Sequence, residues 1–209
     1  CYGEFTRRQE PTQRGADLIV GSLIKNPGGG IAPTGGYIAG KKYLVEKCAM
    51  RLTAPGVGAE IGCTGDLMRQ LYLGLYYAPG VTAAALKASV YASALFAHLC
   101  CEVSPKLNGE RDDIITSIVT GSPEKLKALC GAIQAASPVD SFVTPEPWPM
   151  PGYDCDVIMA AGAFTLGSSI ELSCDAPMKP PYTAYMQGGL NFAATRAGIL
   201  LAAGAAFGN

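Results

Sequence analysis

A lysine set between a strand-like run and a glycine-rich turn constrains this chain more than any other feature. Lys25 follows an apolar run over 18–24 and precedes the letters NPGGG at 26–30. The apolar run favours a β-strand, whereas a proline and three glycines oppose a helix. The pattern therefore predicts a strand over 18–24 with Lys25 at its end.

A lysine in that position suits imine chemistry. An amine on a rigid strand end can lose its proton near neutral pH when apolar surroundings disfavour its charge, and it then condenses with an aldehyde. Pyridoxal phosphate is such an aldehyde. Ser22 offers a hydroxyl, and glycines such as Gly29 let backbone N–H groups approach a phosphate. The competing interpretation is a solvated lysine before a flexible turn.

The same letters allow a second enzyme class. Ser22 and Lys25 satisfy S-x-x-K, the nucleophile motif of some serine acyl hydrolases. That motif needs both side chains one helical turn apart, which the segment NPGGG opposes. Neither S-D-N nor K-T-G occurs in the chain. The serine hydrolase stays an alternative hypothesis.

Composition narrows the class of partner. The 209 residues are 49% hydrophobic and 16% charged, which is enough for a sizeable core. A net charge of −1 with scattered lysines and arginines predicts no nucleic acid and no membrane partner. Eight cysteines form no C-x-x-C pair and accompany one histidine, so we expect reduced thiols and no metal site.

Hydrophobic periodicity predicts an α/β chain. Helices are predicted over 41–52, 65–77, 82–99, from 122 to about 133, and over 190–207. Pro79-Gly80 separates the second of these helices from the third, for which Thr82 is the predicted N-cap. A domain boundary is expected near residue 98. Strands after the first are predicted over 36–40, 114–119, 157–164, 169–172 and 182–186.

Several long sequence strings are specific to one family. They cover residues 22–40, 51–56, 135–140 and 144–153, and the likeness runs from Cys1 to Phe207. In these strings the chain resembles the methionine gamma-lyase family of aluminium resistance proteins, within the cystathionine and methionine lyase group. The resemblance implies pyridoxal phosphate-dependent transferase fold type I. Residues 1–98 would be the C-terminal part of the large cofactor-binding domain, and residues 99–209 the small α+β domain.

The resemblance also implies a function. It implies a carbon–sulfur lyase that acts by beta or gamma elimination on a small sulfur-containing amino acid, as a cytoplasmic homodimer or homotetramer. Lys25 would carry pyridoxal phosphate, with Ser22 and Gly29 near its phosphate. Directly before the lysine, where the family commonly has a second hydroxyl side chain, this chain has Ile24. Part of the phosphate binding must therefore come from other groups.

The resemblance leads us to expect a longer enzyme. In the lyase group an aspartate that pairs with the cofactor's pyridine nitrogen falls about two residues before Cys1. We therefore expect this chain to be the C-terminal half of such an enzyme and to be inactive alone. A non-catalytic dimerisation module is the remaining alternative.

Three further residues are candidates for substrate binding. Alignment on Gly189-Leu190 puts Tyr185 where the group carries an arginine that grips the substrate carboxylate. Arg51 is then the alternative cation for that carboxylate. Trp148 lies among the prolines of segment 145–151 and Tyr153 follows them, which suggests a pocket wall.

Overall fold

The computed structural model describes residues 2–62, 64–161 and 170–208, and it combines helices with two sheets, in keeping with the predicted α/β character. The α-helices are α1 (Lys42–Leu52), α2 (Met68–His98), α3 (Pro123–Ala135) and α4 (Phe192–Phe207). The strands are β1 (Leu18–Ser22), β2 (Gly36–Gly40), β3 (Val103–Ser104), β4 (Thr116–Val119), β5 (Trp148–Pro149), β6 (Asp156–Ala161), β7 (Ser173–Pro177) and β8 (Thr183–Gln187). Short 3-10 helices cover Pro11–Arg14, Asn26–Gly28 and Gly65–Leu67.

Both sheets are antiparallel throughout the described pairings. Strands β1 and β2 form a two-stranded ribbon, in which Leu18 pairs with Gly40 and Ser22 pairs with Gly36. The remaining strands form a six-stranded sheet in the order β3-β4-β8-β7-β6-β5. Helices α3 and α4 pack against each other and share the core with this sheet. The larger sheet therefore has one face covered by helices.

Strand alternation divides the six-stranded sheet into an apolar face and a polar face. On β7 and β8 the apolar side chains of Cys174, Ala176, Ala184 and Met186 are buried in the main core. Because successive side chains of a strand point to opposite faces, the intervening residues lie on the other side. Those residues, which we call the polar face, are Ser173, Asp175, Tyr185 and Gln187.

Helix α2 is continuous through Pro79, where the sequence predicted two helices. Proline has no backbone N–H, so one intrahelical bond is lost there at a cost of about 3 kcal/mol in a helix interior. Ala78 and Thr82 on either side of Pro79 are fully buried, so tertiary packing holds both halves in one rod. The prediction of Thr82 as an N-cap was therefore wrong.

One stripe of small residues lets α2 join two parts of the chain. Gly74 and Ala78 of its first half lie against the segment that contains Asn26–Gly28. Ala88 and Ala92 of its second half enter the main core, where α2 also meets β4, β8 and α4. The segment that carries Lys25 and the six-stranded sheet thus both pack against α2.

The segment Gly65–His98 also meets a length-and-composition test for a membrane span. The mean hydropathy of its most apolar 18-residue window is 1.3, and 39% of that window is buried within the chain. Core helices of globular proteins pass the same test, and Ala92 and Phe96 are fully buried here. Over the residues that the structure describes, no other helix qualifies.

Several strand boundaries differ from prediction. Strand β1 ends at Ser22 instead of residue 24, because the Ile24 N–H donates to Ser22 Oγ (3.3 Å) and turns the chain. The strand predicted over 169–172 is found instead at Ser173–Pro177. Residue 169 of that prediction, and the end of the strand predicted over 157–164, fall outside the described residues. Helix α3 has the predicted Ser122 cap, whose Oγ accepts from the Lys125 N–H (3.2 Å).

Candidate functional site

Lys25 lies three residues past the end of β1, directly before the 3-10 turn Asn26–Gly28. Its carbonyl oxygen accepts from the Gly28 N–H (3.0 Å), and its side chain is half-buried. Ser22 is at a strand end and Lys25 precedes a 3-10 turn, so the two side chains are not one α-helical turn apart. This geometry does not support the S-x-x-K hydrolase hypothesis.

The Lys25 amine lies over the ring of Tyr2. Its Nζ is 5.2 Å from the ring centroid, within the range of a cation–π contact. The Tyr2 hydroxyl accepts a hydrogen bond from Gln187 Nε2 at 3.1 Å. Because Gln187 belongs to β8, the polar face of the large sheet is tied to the ring that supports Lys25.

Asp175 completes this arrangement from strand β7. It pairs in register with Tyr185, while the neighbouring pair joins Ser173 to Gln187. Burial raises the pKa of the Asp175 carboxyl, and the positive charge of Lys25 lowers it. The site therefore combines an amine, an aromatic ring and a partly desolvated carboxyl.

The N-terminal segment that carries Tyr2 is held on two sides. Buried Asn26 donates from Nδ2 to the Glu4 carbonyl (3.0 Å), and Tyr37 donates its hydroxyl proton to Glu4 Oε1 (2.6 Å). Burial raises the pKa of Tyr37, and the Glu4 carboxylate raises it further. Arg7 pairs with Asp112 at 2.6 Å on the exposed side of the segment. These contacts set the position of the Tyr2 ring.

The glycine loop is shaped by packing against α2 and α4. Gly29 has a left-handed φ of +56°, and a Cβ on it would strike the Gly74 carbonyl oxygen. A Cβ on Gly30 would strike the Leu190 side chain just before α4. The Gly29 N–H donates to the Asn26 carbonyl at 3.1 Å, so it would have to leave that bond to contact a phosphate. The phosphate role of Gly29 stays a prediction.

The three substrate candidates lie on different elements, with Tyr185 on the polar face of β8, Arg51 on α1 and Trp148 on β5. Tyr185, 43% exposed, lies on the polar face beside Asp175. Arg51 is exposed in the last turn of α1, a helix that packs on β2. Trp148 is 72% exposed on edge strand β5 and is not among the described residues lining the adjacent groove of about 460 Å³, whereas Tyr153 is.

A large open cleft lies on another side of the ribbon. It has a volume of about 1330 Å³ and is lined by charged residues of the N-terminal segment, by β1 and by Tyr37. Lys25 is not among the described residues that line it. Across 2–62, 64–161 and 170–208, no group of three or more His, Cys, Asp or Glu side chains could hold a metal ion.

Sequence reasoning did not identify Asp175 or Gln187 as site residues. Tyr2 and Gln187 are 185 positions apart along the chain, so no local motif joins them. The alternation of polar and apolar residues over 173–176 and 184–187 was the available signal, because it predicts which residues share one face of a sheet.

Comparison with known sequences relates almost the whole chain to one family. A family model described as methionine gamma-lyase matches residues 1–206. An uncharacterized 33.9 kDa protein from the glnA 5' region of Lactobacillus delbrueckii subsp. bulgaricus is 50% identical over 199 residues, covering 95% of this chain and 65% of the relative. The uncharacterized protein YnbB of Bacillus subtilis is 50% identical over 192 residues, covering 92% of this chain and 46% of the relative.

Solved structures give the same picture. A carbon–sulfur lyase involved in aluminium resistance from Clostridium novyi NT is 54% identical with a TM-score of 0.90, over 97% of this chain and 47% of that one. A Listeria innocua protein, provisionally assigned as a cystathionine beta-lyase involved in aluminium resistance, is 48% identical with a TM-score of 0.94, over 99% and 50% of the two chains. The chain thus spans about half to two thirds of the length of these relatives.

Proposed function

The chain belongs to the methionine gamma-lyase family, and we propose on that basis that it forms the lysine-bearing part of a pyridoxal phosphate-dependent carbon–sulfur lyase of fold type I. Its substrate is a small sulfur-containing amino acid. The observation that carries the proposal is the Lys25 amine, held 5.2 Å over the Tyr2 ring on the side of the sheet that bears Asp175.

The residues around Lys25 fit the cofactor. An amine can bind its aldehyde, and the flat Tyr2 ring offers a surface for a planar heterocycle. Ser173 Oγ on the polar face is buried with no hydrogen-bond partner in the part of the chain that the structure describes, which leaves a polar atom for a ligand. Lys25 would hold the aldehyde, and Ser22 would contribute to the phosphate site. When bound, pyridoxal phosphate supplies an electron sink for cleavage of bonds near the substrate amine.

The chain's own residues have separate tasks in this proposal. Gln187 fixes the Tyr2 hydroxyl, and the Tyr2 ring fixes where the Lys25 amine rests. Lys25 Nζ takes a proton from the substrate and returns one, as a positioned acid and base. Tyr185 lines the substrate side of the polar face and offers its hydroxyl to the substrate.

Borohydride reduction followed by peptide mapping tests the proposal. In the protein at its natural length, reduction should fix the cofactor on the peptide that contains Lys25, and the visible absorbance should change at the same time. A pyridoxyl adduct on Lys41 or Lys47 would refute the assignment, because both side chains are exposed on or beside α1.

Tyr185→Phe and Arg51→Ala test the carboxylate site. If Tyr185 donates one hydrogen bond to the substrate, its loss should raise KM about fivefold, corresponding to about 1 kcal/mol, with the cofactor still bound.

Arg51→Ala should weaken substrate binding by about 1.5–3 kcal/mol if this arginine supplies a charged hydrogen bond. Steady-state kinetics with an amino acid substrate decide between them, and unchanged kinetics in both variants would contradict the proposed site.

Assembly and location are proposals of the same kind. The first half of α2 exposes the side chains of Tyr72, Tyr76 and Tyr77, and exposed aromatic side chains that cluster on one element are typical of interaction sites. A homodimer or homotetramer would cover such a surface, and light scattering at natural length tests this. The Cys130 thiol donates to the Cys174 sulfur at 3.9 Å and the two form no disulfide, which suits a reducing cytoplasm. Cell fractionation tests that location.

A further inference from the structure

The polar face presents its four side chains as two neighbouring cross-strand pairs. Ser173 lies opposite Gln187, and Asp175 lies opposite Tyr185. Residues two apart on one strand are separated by about 6.6–6.8 Å and point the same way. Asp175 is therefore the next side chain along from the pair that contains Gln187.

This pair is anchored to the lysine site. Gln187 donates to the Tyr2 hydroxyl at 3.1 Å, and the Tyr2 ring lies beneath Lys25 Nζ. The face of β7 and β8 that bears Asp175 is thus the face that meets the Lys25 amine. Asp175 is half-buried there, whereas Tyr185 opposite it is more exposed.

The electrostatics of Asp175 agree with this placement. Burial disfavours its carboxylate and raises its pKa. Among the charged groups that the structure describes, Lys25 is the one whose field lowers that pKa. Tyr2 lies against Lys25, and Tyr185 is the titratable group across the strand pair from Asp175.

We infer that Asp175 is a positioning residue for Lys25: its carboxylate is the counter-charge that holds the lysine side chain at the polar face. Its importance for the reaction rests on the proposed function, in which Lys25 must be able to return a proton. The counter-charge thus keeps the Lys25 side chain on the side of the site where the substrate would bind.

Lysine labelling in the cofactor-free protein tests the inference without any turnover. The rate at which trinitrobenzenesulfonate modifies Lys25 at one fixed pH would be followed by mass spectrometry of its peptide. In Asp175→Asn this rate should rise about threefold to tenfold, because the amine loses the carboxylate that holds it. Asp156→Asn is the matched control, since Asp156 is an exposed aspartate at the start of β6 and should leave the rate unchanged. Equal rates in all three proteins would overturn the inference.

The reciprocal variant gives a second readout. In Lys25→Met the Asp175 carboxyl should titrate at higher pH than in the parent protein, measured by carbon NMR of aspartate-labelled protein, because the charge that lowers its pKa is gone. An unchanged Asp175 titration would also overturn the inference. Neither measurement depends on the borohydride experiment. A missing cofactor adduct on Lys25 would refute the proposed lyase, whereas the labelling and the NMR titration alone decide whether Asp175 positions Lys25.

Discussion

Lys25→Ala is expected to lower turnover by at least about a thousandfold while the fold stays in place. The loss is large because one amine both binds the cofactor and moves protons, and positioned acid–base catalysis alone contributes about 10²–10⁴-fold. One contact that the fold loses is the one over the Tyr2 ring, worth about 0.5–1 kcal/mol at a partly exposed site. Steady-state kinetics and urea unfolding of the protein at its natural length measure the two effects.

Lys41→Ala is the control for this experiment. Lys41 lies just before α1 and forms an exposed ion pair with Asp17 at 2.6 Å. Exposed pairs of this kind contribute about 0–1 kcal/mol, so this variant should keep both its stability and its turnover. More than a tenth of the parent turnover in Lys25→Ala would contradict the role assigned to Lys25.

Gly74→Ala is expected to destabilise the protein by about 2–3 kcal/mol, the cost of overpacking a close contact. The new methyl would strike the Gly28 carbonyl oxygen, and neither backbone can move without shifting the loop that carries Lys25. Activity should therefore fall further than the lost stability accounts for. Chemical unfolding and kcat measured on the folded fraction separate the two effects.

Gly80→Ala provides a matched substitution in the same helix. Gly80 is exposed, and a Cβ there would meet nothing within 4 Å. Since alanine has a higher helix propensity than glycine, this variant should gain up to about 1 kcal/mol. If both variants lose stability equally, the contact between Gly74 and Gly28 would not be the cause of the loss.

The sequence predicted those elements that local chemistry determines. Helix α3 begins as predicted because Ser122 caps it and Pro123 fits its first turn. The ribbon strand Gly36–Gly40 was also predicted correctly and is confirmed. In both cases the decisive residues are neighbours in the chain.

Features that depend on distant partners could not be predicted in the same way. Pro79 normally marks a helix boundary, and only burial of Ala78 and Thr82 against other elements shows why α2 passes through it. The site has the same limitation, because Tyr2, Lys25 and Gln187 meet through a folded sheet. The glycine letters near Lys25 suggested a phosphate cradle, whereas packing against α2 and α4 explains Gly29 and Gly30.

The continuous stripe on α2 makes the length of this helix a fixed dimension of the protein. Each residue of an α-helix advances about 1.5 Å and turns about 100°. A single residue inserted after Pro79 would rotate Gly74, on which the lysine loop rests, by about 100° relative to Ala92, on which the sheet rests. Lys25 and Asp175 would then face different directions. Relatives that keep this site should accordingly tolerate many substitutions at the exposed positions in the middle of α2 but no insertion or deletion there.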